Sequence, residues 1–494
     1  MIRAAVALLA VLTVWQVATP PIERFVDASA ADERIAKSAL EQIAAGWKDS
    51  YAAMLVDIAR LMRPARRSGP QSADSPLNAT DPSLVADDER SVPNSERAFG
   101  GTSDLPDRGS PIRRRLIAFL EKQTGKRFGD DLNAWREWTW KRPYDPHPDY
   151  AALKALLYGQ IDPQMRDFFP PGVRASIRLD EIDWGGVRVN GIPPLRDPKV
   201  VPVAEATYLK DSHVVFGLVV NGVARAYPKR ILAWHEMATD RVGDVDLTIV
   251  YCTLCGTVIP FESRANGRTL HFGTSGLLYR SNKLMFDEET HSLWSTFEGV
   301  PVVGTLLESG IALQSRAVVT TTWKEWRIEH PETTVLSIDT GYTRDYSEGA
   351  AYRDYFSTDR LMFQVSTVDT RLRNKTEVLV MRLPDATMAD RRVPVALDTQ
   401  FLRAHRVHTF TAAHKRFVVV TSDNGANRVF RVEETFPEQR VGPTIRDSRG
   451  QAWRVTESDL VLESDPETRA PRVAAQRAFW FGWYGQFPDT VLIK

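Results

Sequence analysis

The chain has 494 residues, 43% of them hydrophobic and 26% charged, with 63 basic and 63 acidic side chains. That length supports two or three domains and a sizeable core, and the balanced charge gives no overall field toward nucleic acid or an anionic membrane surface. Two cysteines exclude a disulfide framework, so a single functional pair is the economical reading.

Residues 1–30 read as a signal peptide or an N-terminal anchor. Arg3 supplies a short basic start, Ala4 to Val14 is apolar apart from Thr13, and Ala28-Ser29-Ala30 offers a small-residue cleavage site. The apolar run is shorter than the roughly 20 residues of a membrane span, so export to the periplasm or cell envelope is expected, with a membrane tether through an uncleaved segment as the variant. Residues 31–63 carry apolar side chains at helical spacing, among them Ile35, Leu40, Ile43, Trp47, Leu55 and Ile58. Residues 64–110 lose that period and fill with Ser, Asp, Pro, Gly and Asn, the composition of a disordered linker. Helices resume over 113–124, 131–141 and 150–158 inside a helical region, 111–175, expected to pack on the following domain. Trp135, Trp138 and Trp140 suit such packing better than a ligand platform.

From residue 176 the pattern turns to short β-branched runs. Asn221-Gly222 joins Val214–Val220 to Val223–Tyr227 and signals a type I′ hairpin. Asn266-Gly267 and Asp287–Thr290 mark two further turns. The spacing predicts a mainly β fold over 176–494, antiparallel and hairpin-rich, as a barrel-like or rolled sheet, with an α-helical region ahead of it. The terminal Phe479-Trp480-Phe481-Gly482-Trp483 reads as core.

The chemistry centres on Tyr251-Cys252-Thr253-Leu254-Cys255-Gly256, between two β-branched stretches. A redox pair of the thioredoxin type sits at a helix N-terminus, which lowers the thiol pKa; Pro260 and the β-branched flanks argue for a strand-to-strand turn instead. Such a turn resembles half of a zinc-ribbon knuckle. As metal ligands, Cys252 and Cys255 suit zinc or copper, with His235 and then His271 as the favoured partners. Trp234 shields His235, and Glu236 offers a carboxylate to orient its second nitrogen. As a redox couple the same pair cycles between dithiol and disulfide. As a purely structural element it is a short bridge that closes almost no loop, or two small buried apolar groups. His291 and Met285 are weaker ligand candidates, solvated and core respectively. His405, His408 and His414 lie in a basic, solvated stretch.

A second candidate is the Gly273–Asn282 segment, read as a polar loop in which Ser275, Tyr279, Arg280 and Asn282 supply groups for an anionic or carboxylate ligand. Arg344 beside Asp345 reads as an internally paired arginine. No Gly-x-Ser-x-Gly, His-Glu-x-x-His, dinucleotide fingerprint or haem-attachment motif is present, so whether the chain is an enzyme stays open. Three classes of function follow: binding of a zinc or copper ion, thiol–disulfide redox chemistry, and a non-catalytic envelope module that binds a ligand.

Several blocks taken together resemble a bacterial family known as a domain of unknown function. They are the cysteine turn, Trp234-His235-Glu236-Met237, Gly273-Thr274-Ser275-Gly276-Leu277-Leu278-Tyr279 and the terminal Phe479–Trp483 run. The resemblance extends from about residue 130 to the C-terminus. Thr253 stands where the family commonly has proline, which costs turn rigidity and no ligand. The resemblance implies kinship and carries no activity with it.

Overall fold

A computed structural model describes residues 19–61, 110–388 and 391–494. Residues 1–18, which hold most of the expected export signal, and 62–109, most of the expected linker, lie outside the described residues. Among the described residues no helix is long and apolar enough to cross a membrane. The chain divides into two compact units, residues 19–61 with 110–153, and residues 154–494.

The first unit is helical, as the 3.6-residue period requires. Its helices are Ile22–Asp27, Glu33–Ala45, Ala52–Leu61, Pro111–Thr124 and Leu132–Trp140. Asp32 caps the second by accepting from the Arg34 and Ile35 amides, and Asp131 caps the last through Asn133 and Ala134. Phe25, Tyr51, Leu55, Leu116, Leu120 and Trp135 are buried. The Trp135 ring stands edge-on to Phe128 and Trp138, and its indole N–H donates to the Gly129 carbonyl, so the tryptophan cluster is packing within this unit.

The second unit is built from mostly antiparallel sheets. Asn221 and Gly222, at φ of 49° and 82°, make the expected tight turn between Val214–Val220 and Val223–Pro228. A four-stranded sheet runs Leu195–Arg196, Met237–Val242, Val245–Cys252 and Thr257–Glu262. Its neighbour in the core is a five-stranded sheet whose centre is the hairpin Phe272–Tyr279 with Asn282–Asp287. A third sheet carries Val214–Val220, and two more, of four and seven strands, take up the C-terminal part of the chain. Among the described residues parallel pairing is confined to three short contacts, one being Leu195–Arg196 beside Met237–Val242.

One large core joins these elements. It contains Cys252 and Cys255, Met285 and Trp294 from the five-stranded sheet, and Val378, Trp480 and Trp483 from the C-terminal region. Met285 and the terminal aromatic run are therefore core, as their apolar neighbours predict. Gly273–Asn282 is different from expectation. Gly276 takes φ of 76° inside an otherwise extended run, and Phe272–Tyr279 pairs on both sides, with Ile182–Trp184 and with Asn282–Asp287. The segment is a central strand with a register shift between Thr274 and Leu278, followed by a two-residue turn at Arg280 and Ser281.

Candidate functional site

Cys252 ends its strand opposite Thr257, and Cys255 lies in the four-residue turn between them. Gly256 closes this turn at φ of 61°, with the Phe479 ring about where a side chain would begin, 2.9 Å from an added Cβ. The Phe479 amide donates to the Cys255 carbonyl at 2.7 Å, which locks the turn to the C-terminal aromatic run. Gly482 then lies flat on Cys255, where a Cβ would come within 3.0 Å of its sulfur. The cysteines are unbridged and buried, at 2% and 0% exposure.

The surroundings of the two sulfurs are unequal. Cys255 Sγ donates to the Ser281 carbonyl at 3.4 Å and receives the Asn282 amide at 3.5 Å. Burial pushes the Cys255 thiol well above its ordinary pKa, and the adjacent Cys252 adds to the shift. Burial and the Glu236 carboxylate oppose ionisation of Cys252 as well, but the adjacent Cys255 thiol, the Lys283 backbone N–H and the Lys283 ammonium outweigh them, and its pKa falls below the ordinary value. The surroundings thus favour ionisation of Cys252 over that of Cys255.

Lys283 is itself buried. Its ammonium pairs with Glu236 Oε2 at 2.7 Å and donates to the Glu236 carbonyl at 3.1 Å. The other carboxylate oxygen, Oε1, accepts from the Tyr352 hydroxyl at 2.8 Å. Tyr355 donates to the Leu254 carbonyl, inside the cysteine turn, at 2.8 Å. Both tyrosines belong to an irregular strap between Leu336 and Glu377 whose regular structure is the short helix Arg353–Ser357. Five buried polar atoms near the turn and the aromatic run that covers it have no partner: the hydroxyls of Tyr251, Thr253, Thr257 and Ser281 and the Trp483 indole nitrogen.

The expected histidine ligands do not join the sulfurs. His235 ends the helix Lys229–His235, and Glu236 follows it in the left-handed conformation at φ of 55°, which directs the two side chains to different partners. His235 Nδ1 bonds the Pro193 carbonyl at 2.9 Å and Nε2 bonds the Tyr346 hydroxyl at 2.6 Å, so both ring nitrogens are taken. Its orienting partner is a backbone carbonyl rather than Glu236. His271 is 63% exposed and paired with Glu289 at 2.6 Å, out of reach of buried thiols. His291 is half-exposed near Asp167.

The proposed ligand loop also comes apart, because it is a hairpin and strand neighbours alternate in direction. Ser275 Oγ donates to the Leu284 carbonyl, Arg280 pairs with Glu181, and Tyr279 is buried with its pKa pushed up to about 12 by burial first and Glu181 second. Asn282 alone of the four reaches the sulfurs. Arg344 differs from expectation too, donating to the Thr343 carbonyl instead of pairing with Asp345.

Sequence reasoning missed Lys283, Tyr352, Tyr355 and Gly482. Lys283 left a signal, a lysine directly ahead of the apolar run Leu284-Met285-Phe286 in a strand buried throughout. The tyrosines lie in a segment with no periodicity to flag them.

Among the described residues, one group of three His, Cys, Asp or Glu has ligand atoms mutually within 4.8 Å: Glu329, His330 and Glu457, remote in sequence from the cysteines. Arg428 pairs with both carboxylates, at 2.5 and 2.6 Å, and Arg472 also pairs with Glu457, so the acids are neutralised by guanidinium groups. The cysteine pair gathers no third side chain of these types.

Fold and site together define a mainly β protein with a buried, unbridged dithiol at a hairpin turn. The chain belongs to the family described as protein of unknown function (DUF3179), whose model matches residues 189–490. No curated protein and no solved structure matches it.

Proposed function

We propose that the chain is a thiol–disulfide redox protein in which Cys252 is the attacking sulfur and Cys255 the resolving one. The observation that carries this reading is an unbridged, buried pair in unequal surroundings: Cys255 bonds the Ser281 carbonyl and receives Asn282, which holds it as a thiol, while Cys252 lies beside it next to Lys283 and is the sulfur more easily ionised. A thiolate is the nucleophile in disulfide exchange, and a single low-pKa sulfur beside a protonated partner is the arrangement such exchange needs.

The Cys252 thiolate attacks one sulfur of a substrate disulfide and expels the other as a thiolate, which takes up a proton. Cys255 then loses its proton and attacks Cys252 in the mixed disulfide, releasing the second substrate thiol. The protein ends with a Cys252–Cys255 disulfide, having lost two electrons and the Cys255 proton, and the substrate disulfide has gained both electrons, that proton and one from solvent. Both sulfurs are buried, so exchange requires the strap to lift Tyr352 from Glu236 and Tyr355 from the Leu254 carbonyl. An exported chain would meet such disulfides in an oxidising compartment.

A second reading rests on the same sulfurs. Two soft sulfurs with no third His, Cys, Asp or Glu gathered on them among the described residues suit copper(I) better than tetrahedral zinc. One experiment separates the two. The full chain is equilibrated in dithiothreitol redox buffers with the thiols counted by alkylation and mass spectrometry, and a parallel anaerobic sample is titrated with copper(I) against a competing chelator. Reversible loss of both thiols, abolished in Cys252→Ser, is the expected result. One equivalent of copper(I) retained without reversible oxidation would replace the redox reading by the metal one. Neither behaviour would reduce the pair to a structural dithiol.

A further inference from the structure

The dithiol is sealed, yet part of its seal is polar and unanswered. A disulfide substrate carries two sulfurs and the groups attached to them, and it reaches this pair only when the strap lifts. Three hydroxyls at the turn suit a ligand of another size. Thr253, Thr257 and Ser281 are 0%, 1% and 3% exposed, and none of their hydroxyl oxygens has a hydrogen-bond partner among the described residues.

Their positions bracket the sulfurs. Thr257 lies directly opposite Cys252 in the antiparallel ladder, so the two side chains leave the same face of the sheet as neighbours. Thr253 follows Cys252 inside the turn, and its carbonyl is already taken by the Gly256 amide at 3.3 Å. Ser281 approaches from the facing hairpin, where its carbonyl accepts from Cys255 Sγ at 3.4 Å. Buried Ser and Thr hydroxyls commonly settle on a backbone carbonyl, as Ser275 does on Leu284 and Thr296 on Lys283 close by. Three left over around two sulfurs are a cost unless a bound group answers them. Each can donate one hydrogen bond and accept two, so the group they suit is small, neutral and able to do both.

Among oxidants of thiols, a small hydroperoxide has those properties. It carries O–H donors and acceptor oxygens on a body little larger than water, and it reacts through one oxygen atom. We propose that the sealed dithiol reduces hydrogen peroxide, received beside Cys252 by the hydroxyls of Thr253, Thr257 and Ser281. The inference rests on the redox reading of the pair. The Cys252 thiolate attacks one peroxide oxygen; an S–O bond forms, the O–O bond breaks, and the departing hydroxide takes a proton from solvent to leave as water. Donation from Thr257 to the departing oxygen stabilises the charge that develops on it. Cys255 then loses its proton and attacks the Cys252 sulfenic acid; the S–S bond forms, the S–O bond breaks, and hydroxide leaves with that proton as a second water. The pair gives up two electrons and the peroxide takes them. A dithiol reductant returns the disulfide to the starting pair by exchange.

The test mixes the reduced full chain rapidly with hydrogen peroxide and, separately, with glutathione disulfide, the thiols being counted by alkylation and mass spectrometry. The wild type reacts with peroxide at least about tenfold faster than free cysteine does at the same pH. Thr257→Val, which keeps the shape and removes the hydroxyl, lowers the ratio of the peroxide rate to the disulfide rate about tenfold, and Thr257→Ser restores it. In Cys255→Ser the reaction stops at a Cys252 sulfenic acid, trapped by dimedone and read as added mass. Oxidation by glutathione disulfide with a peroxide rate no higher than that of free cysteine, or an unchanged ratio in Thr257→Val, would overturn the peroxide proposal and leave disulfide exchange standing. Reaction with neither oxidant would overturn both.

Discussion

Two neighbouring residues serve two regions that share almost nothing. Glu236 belongs to a sealed centre, clamped by Lys283 and Tyr352 beside two sulfurs that solvent does not reach. His235 belongs to an open cleft, bridging its walls through Pro193 and Tyr346. The left-handed turn at Glu236 makes this division, since it ends the helix and gives each side chain its own set of partners. The first region holds a buried charge pair, where losing one member is costly. The second holds a neutral network whose weakness is protonation. Their responses to mutation and pH should therefore differ.

The largest expected effect is chemical. Replacing both Cys252 and Cys255 by serine removes reversible dithiol–disulfide oxidation of the chain, the two being its only cysteines. Alkylation counts across the redox buffers read this outcome.

Next is Lys283→Met. It leaves Glu236 buried without its cation, and removing one partner of a buried pair costs about 3–5 kcal/mol. Urea unfolding measures that loss. Lys283→Met/Glu236→Leu should recover a large part of it, and the Cys252 thiol, followed by the pH dependence of alkylation, should move to higher pKa in Lys283→Met alone and not in the double variant, because Glu236 opposes its ionisation.

The cleft should answer to acid instead. His235 is held near 4 against 6.5 for the ordinary imidazole, so below pH 6.5 the unfolded chain takes up a proton that the folded chain refuses. The folded-state pKa is depressed, and the associated stability is present in full above pH 6.5 and lost as pH falls from there toward 4. At about 1.4 kcal/mol per pKa unit the loss approaches about 3 kcal/mol. Thermal unfolding across that window should show it, and His235→Gln should flatten it.

Gly482→Ala places a Cβ against the Cys255 sulfur, and overpacking of this kind costs about 1–3 kcal/mol. Its unfolding midpoint should drop and the midpoint potential of the dithiol should shift, because the added atom meets the sulfur itself. The smallest effect belongs to His271→Ala. An exposed ion pair contributes little, so stability should stay within about 0.5 kcal/mol and thiol reactivity should not change. A large effect there would return His271 to the cysteine site.

These contrasts also mark how far the sequence could be read. Local patterns carried the hairpin at Asn221-Gly222, the cysteine turn and the burial of the terminal aromatic run, because each is written in neighbouring residues. The Gly273–Asn282 segment misled for the opposite reason. Its glycines and hydroxyls look like a loop, and pairing with strands on both sides made it a central strand whose side chains diverge. Lys283 was visible only as an oddity, since its meaning depends on Glu236, 47 residues earlier.

By itself the sequence determined a hairpin-rich β domain after a helical region, with a cysteine pair on a tight turn, since turn chemistry and hydrophobic period act over a few residues. Tertiary structure decided which groups face the sulfurs. It placed Lys283 and Tyr352 there through contacts 47 and 116 residues apart from Glu236, and it took His235 away with a single backbone reversal. Such choices depend on burial and on which hydrogen bonds are left to satisfy once the sheets have packed, and no local pattern records them.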